Sequence, residues 1–149
     1  MTEKAYALIT RGKRLLVFRE VEFPEAGIQV PGGTVRSGER LADAVLREAR
    51  EETGLASLAI RSYLGSRDAD LPPAGGSGHL RRHFFHLELL AEASERWRHV
   101  EQDPSDGSAP IEFELFWVPF DGDLVTLLPP AGQLVWRVGD AFSNLSQES

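Results

Sequence analysis

The 149-residue sequence contains no cysteine. That excludes disulfides, thiolate-held metals and thiol nucleophiles, and it fits a reducing compartment. No apolar run approaches the ~20 residues needed to cross a bilayer. The opening Met1-Thr2-Glu3-Lys4 lacks a basic-then-apolar leader pattern. The expectation is therefore a cytoplasmic protein with no membrane partner. Positive charge is also in short supply: 16 Lys and Arg stand against 23 Asp and Glu, for a net charge of −7. A nucleic-acid polymer is bound through a basic stripe that displaces counterions, so no such partner is expected. A small phosphorylated ligand remains compatible, provided cations stand between it and any clustered carboxylates. What is present, 42% hydrophobic and 26% charged residues, is the composition of one globular domain over 1–149, large enough to bury a core unaided.

Periodicity places the elements. Lys4–Thr10 and Arg14–Arg19 read as strands joined by a turn at Arg11-Gly12-Lys13. Ile28-Gln29-Val30 reads as a short strand halted by Pro31-Gly32-Gly33. Arg40–Thr53 is the clearest helix, with Leu41, Val45 and Ala49 in an i, i+4 stripe, Ser37 as N-cap and Gly54 as stop. Ala56–Arg67, His79–Glu92 and Glu112–Phe120 read as strands, and Ala131–Phe142 as a final helix carrying Leu134, Val135 and Val138. Residues 68–78 and 101–110 read as loops, either lids or plain connections. Ser143–Ser149 reads as a fraying polar tail. Strands around a central helix suggest a layered α/β domain, and the hairpin makes its sheet mixed.

The stretch from Gly33 to Leu55 carries the chemistry. Glu48, Glu51 and Glu52 fall at i, i+3 and i+4, on one helix face. Three like charges there weaken an isolated helix by a few tenths of a kcal/mol per pair. One reading is a solvated face balanced by Arg47 and Arg50. The other is a hard divalent cation, since Mg²⁺ and Mn²⁺ take carboxylate, carbonyl and water oxygens. Gly32-Gly33 just upstream permits close backbone approach. The full pattern is Gly33, five residues, Glu39, seven residues, Arg47-Glu48-Ala49, one residue, Glu51-Glu52, one residue, Gly54-Leu55. Seven fixed residues at this spacing arise by chance at about one in 10⁸ per start position, taking ~7% for each type.

This segment resembles the signature box of the Nudix hydrolase family at every fixed position; only Ala49 is smaller than the usual aliphatic. The resemblance covers 23 residues. It implies an α/β/α sandwich with a mixed β-sheet and the box as a loop–helix–loop. It implies that Arg47 orients a glutamate by ion pairing, and that Glu48, Glu51 and Glu52, with the Gly32 carbonyl, hold Mg²⁺ or Mn²⁺. Glu39 is expected to be structural. Such ions acidify a bound water, neutralise a pyrophosphate and align it for in-line attack. The implied reaction is hydrolysis of a phosphoanhydride in a nucleoside diphosphate linked to a further group. The alternative is a nucleotide-sensing module on the same fold, although such modules usually lose box glutamates. Glu51 and Glu52 are candidates for the proton acceptor, as are glutamates outside the box, and the resemblance also admits a homodimer.

Other residues are weighed as substrate contacts. Glu112 and Glu114 share the strand face opposite Phe113, Leu115 and Trp117. Arg19 ends a strand ahead of the Gly32-Gly33 turn, and Arg81 with Arg82 offers paired phosphate donors. His83 and His86 point to opposite strand faces, which disfavours a histidine zinc site. No downstream motif selects among nucleoside triphosphates, nucleotide sugars, dinucleoside polyphosphates or dinucleotide cofactors.

Overall fold

The computed structural model describes residues 1–71, 78–102, 107 and 109–142; the loop and tail readings on 72–77, 103–106, 108 and 143–149 lie outside them. Seven strands form one mixed sheet: β1 (Thr2–Arg11), β2 (Arg14–Glu20), β3 (Gly32–Thr34), β4 (Leu58–Asp70), β5 (His79–Leu89), β6 (Arg96–Glu101) and β7 (Ile111–Pro119). Their order is β4-β5-β1-β2-β7-β6, with β3 also paired to β1. β1 and β5 are parallel and the other pairs antiparallel. The β1–β2 hairpin forms where the alternation put it, and Gly12 turns it with φ 61°. Among the described residues no helix is long and apolar enough to cross a membrane.

The hairpin stays zipped only at Thr10–Leu15 and Arg11–Arg14. Beyond that, β1 and β2 part and the chain from Gln29 to Thr34 enters between them. Gln29 bridges Phe18, the Ala7 N–H reaches the Pro31 carbonyl at 2.8 Å, and β3 pairs Lys4–Tyr6. The strand expected at Ile28–Val30 is thus displaced to Gly32–Thr34. Crowding explains the two glycines: a Cβ on Gly32 would lie 2.3 Å from the Tyr6 ring, and one on Gly33 2.4 Å from the Glu48 carboxylate.

The helix α1 (Leu41–Thr53) crosses one face of this sheet. Its stripe buries Ala44, Val45 and Ala49 completely against Ala5, Ala7, Leu16, Phe18, Leu87, Phe113 and Leu115. Each aliphatic of valine size or larger contributes about 1.5–3 kcal/mol when fully buried. Gly54 ends the helix in the left-handed region, φ 78°, donating to the Arg50 carbonyl at 2.9 Å. The N-terminus differs from expectation. Arg40, not Ser37, is the N-cap and makes no side-chain cap bond. Gly38 (φ 79°) turns the chain, and Glu39 closes that turn by accepting from the Arg36 N–H, so the helix begins later.

The opposite face buries Leu8, Val17, Phe84, Phe116, Leu127, Val138 and Phe142. The helix expected over Ala131–Phe142 is absent; Val138–Phe142 is a 3-10 turn, and α1 is the only α-helix among the described residues. Gly132 takes φ 87°, and buried Arg82 donates to the carbonyls of Gln133 and Leu134. Those carbonyls are then engaged outside the i→i−4 ladder a helix needs. The strand β6 falls where the sequence indicated no element, apart from Glu101 at the start of an expected loop, and it pairs with β7 from Arg96–Phe116 to Glu101–Ile111.

Candidate metal and active site

The parting of β1 and β2 opens a cavity of about 210 Å³ beside α1. Its lining includes Lys4, Phe18, Gly32, Gly33, Glu48, Glu52, Glu101 and Phe113. The tilted pair Phe18–Phe113, with ring centroids 4.5 Å apart and planes inclined at 57°, forms an apolar wall.

Arg47 organises the helix face. It donates to both Glu39 carboxylate oxygens at 2.8 and 2.9 Å, to Glu48 at 2.8 Å, to Glu51 at 3.4 Å and to the Thr34 carbonyl at 3.1 Å. The expected pairing with Glu51 is present, but Glu39 and Glu48 are the closer partners. The two-pronged Arg47 bond holds the Glu39 carboxyl down at about 2, with the Arg36 N–H adding to it. Glu39 therefore fixes the loop before the helix, the structural role expected of it.

The carboxylates behind Arg47 are buried. Burial pushes Glu48 above the usual carboxylate range against the pull of Arg47. Burial pushes Glu52 well above it too; the Gly32 N–H opposes this, and the charges of Glu101, Glu48 and Glu51 reinforce it. Glu52 receives that N–H at 2.8 Å and so ties β3 to the helix. The group that can share one cation is Glu48, Glu51 and Glu101, whose candidate ligand atoms lie within 4.8 Å of one another. These donors fit a hard divalent ion: they are all carboxylate oxygens, and for Glu48 burial disfavours the charged form unless a cation offsets it. Gly33→Ala is expected to turn the Glu48 carboxylate aside and weaken Mn²⁺ binding by about 10-fold or more, read by calorimetry.

The sequence-derived residues thus divide. Glu48, Glu52 and Gly32 line the cavity, and Glu51 joins Glu48 and Glu101 in the carboxylate cluster that could hold a cation. Arg19 leans over the Phe116 ring on the other sheet face, 3.8 Å from Glu114. Glu114 also pairs with Arg96 at 2.7 Å. Arg81 pairs with Asp68 at 2.8 Å on the exposed β4–β5 edge. Neither arginine nor Glu114 lines this cavity. Glu112 lines an adjoining one of about 320 Å³ with Glu20, Glu22, Phe23, Pro110 and Ile111. His83 and His86 do part to opposite surroundings, His83 between Glu3 and Tyr63 and His86 against Thr10. Trp117, partly buried, packs against the core, and Trp136 packs edge-on against Tyr6 and Phe84. Glu101 and Lys4 went unrecognised in the sequence; the only signal for Glu101 is the alternation Trp97, His99, Glu101 toward the helix.

Comparison with known proteins agrees with this geometry. The NUDIX domain family model matches residues 2–131. The m7GpppN-mRNA hydrolase NUDT17 of Xenopus laevis is 35% identical over 100 residues, covering 66% of this chain and 32% of that protein. The chain thus spans about a third of the length of this curated relative. Among solved structures, a MutT NUDIX hydrolase from Burkholderia pseudomallei superposes with a TM-score of 0.54 at 23% identity, covering 93% of this chain and 94% of that one. An ADP-ribose pyrophosphatase from Streptococcus suis gives 0.51 at 18% identity, covering 99% and 92%. These two share the fold. With the family model spanning nearly the whole described sheet and the box glutamates gathered at its opening, the chain belongs to the Nudix hydrolase family.

Proposed function

We propose that this protein hydrolyses a phosphoanhydride bond in a nucleoside diphosphate linked to a second group, with Mg²⁺ or Mn²⁺ held by Glu48, Glu51 and Glu101. The carrying observation is the convergence of carboxylates from α1 and β6 on one cation-sized position beside a cavity. The ions supply charge neutralisation for the pyrophosphate and an acidified water. Lys4, on the cavity wall, adds a positive charge for phosphate oxygens. Glu52 and Glu101 line the same space, within which a carboxylate must take the proton of the attacking water. The Gly32 carbonyl is a further oxygen donor from the cavity wall.

The adjoining cavity suits the nucleoside. It shares Glu20 and Ile111 with the first, and Phe23, 56% exposed, offers a ring face for stacking. Its rim of Glu20, Glu22 and Glu112 repels phosphate and accepts hydrogen bonds from a base edge. Phe23→Ala is expected to raise KM about 10-fold with little change in kcat, since one base stack is worth about 1–3 kcal/mol.

The test is incubation with Mg²⁺ or Mn²⁺, and with chelator, across nucleoside triphosphates, nucleotide sugars, dinucleoside polyphosphates, dinucleotide cofactors and a capped RNA, with products identified by mass. The capped RNA belongs in the panel because the Xenopus laevis relative is named for it. Metal-dependent cleavage of one class supports the hydrolase and names its substrate. Tight nucleotide binding without cleavage anywhere would instead establish a nucleotide-sensing module.

A further inference from the structure

The strand β6 meets the C-terminal turn of α1 through alternate side chains. Trp97 Nε1 donates to the Thr53 carbonyl at 2.9 Å, and His99 Nε2 bonds the Glu51 carbonyl at 2.9 Å. A carbonyl only accepts, so Nε2 carries the proton. Glu101, two residues further along the same strand, reaches the carboxylates of Glu48 and Glu51. The last carbonyls of a helix have no partner within it, so these two bonds anchor the turn from outside. The fit is close: a Cβ on Gly54 would lie 3.0 Å from His99 Nδ1.

We propose that His99 is a positioning residue of the cation site, and that its bond to the Glu51 backbone sets the spacing of the Glu51 and Glu101 carboxylates. The geometry is a closed loop. Glu51 contributes its carbonyl to His99 and its carboxylate to the cation position, while His99 and Glu101 belong to one strand held in register by β7. With the carbonyl bond fixed, helix and strand cannot slide, and the carboxylates stay within reach of one ion. Trp97 grips the same turn, but through Thr53, which contributes nothing to the cation position. Stability alone would make the two anchors equivalent; positioning makes His99 distinct. This inference rests on the metal-site reading above.

Two variants of equal reach separate these cases. His99→Gln keeps an N–H donor, and His99→Met does not. Mn²⁺ affinity is measured by electron paramagnetic resonance, with Tm recorded in chelator and Trp97→Phe alongside. The expectation is a loss of about 10- to 100-fold in Mn²⁺ affinity for His99→Met, the range for residues that orient metal ligands. His99→Gln should recover most of it, and Trp97→Phe should lower Tm while binding Mn²⁺ as the wild type does. Equal Mn²⁺ affinity in His99→Met, His99→Gln and wild type overturns the positioning role alone. So does a parallel loss in Trp97→Phe. A wild-type protein that holds no Mn²⁺ overturns both this inference and the metal-site reading.

Discussion

Glu101→Gln is expected to lower kcat/KM by about 10²-fold or more, the scale set by losing a charged group at a metal-assisted reacting centre. The substitution keeps size and removes charge from a residue only 7% exposed, whose carboxylate oxygen lies within 4.8 Å of those of Glu48 and Glu51. Mn²⁺ affinity should fall with it. Glu51→Gln should behave alike, because both carboxylates serve one position. Glu114→Gln, on the opposite face beside Arg19 and Arg96, is the contrast and should turn over substrate at nearly the wild-type rate. Steady-state kinetics with circular dichroism as the folding control decide the matter. Full activity in Glu101→Gln would return the cation to the box helix alone.

The second large effect is on stability. Arg47→Met keeps the aliphatic stem but strips the guanidinium from Glu39, Glu48, Glu51 and the Thr34 carbonyl. Breaking a buried pair from one side costs about 3–5 kcal/mol. With side chains 15% and 16% exposed for Arg47 and Glu39, about 2–4 kcal/mol is expected here, lowering Tm by about 10 °C in chelator. The deficit should depend on pH. Glu39 is held at about 2 against an ordinary 4.5, so its pairing contributes fully above the ordinary value and is lost as pH falls toward the lower one. Variant and wild type should therefore converge on acidification through that window. Thermal melts between neutral pH and pH 3 measure this, and a gap that widened would contradict the assigned ion pair.

The helix and its chemistry were legible because both are local. An i, i+4 stripe, a glycine stop and three carboxylates on one face need no knowledge of the remaining chain. Glu101 was not legible for the opposite reason. It lies on a strand whose inward residues are Trp97, His99 and Glu101, of which only Trp97 packs on the apolar core, so alternation of apolar residues does not mark it. Glu112 and Glu114 show the limit of strand periodicity. The pattern correctly set them opposite Phe113, but which face carries the site depends on where α1 docks, and it docks on the Phe113 side. Likewise Leu134 and Val135 sit at helical spacing, yet they are 40% and 61% exposed, because Arg82, far away in sequence, claims the neighbouring carbonyls.

The pairing of β1 has a consequence for how the chain is made. Thr2 pairs with Leu80, and Leu16 with Trp117, so the central strands must wait for partners synthesised much later. The box helix leaves the ribosome well before either β5 or β6, with its packing surface uncovered. Such long-range closure places folding on the slow side for a domain of this size, and it leaves open strand edges on the nascent chain throughout. Ribosome-stalled chains ending before Ile111 should be held by chaperones and cleaved readily by protease, whereas chains that extend past Phe142, and so cover the second sheet face, should resist it.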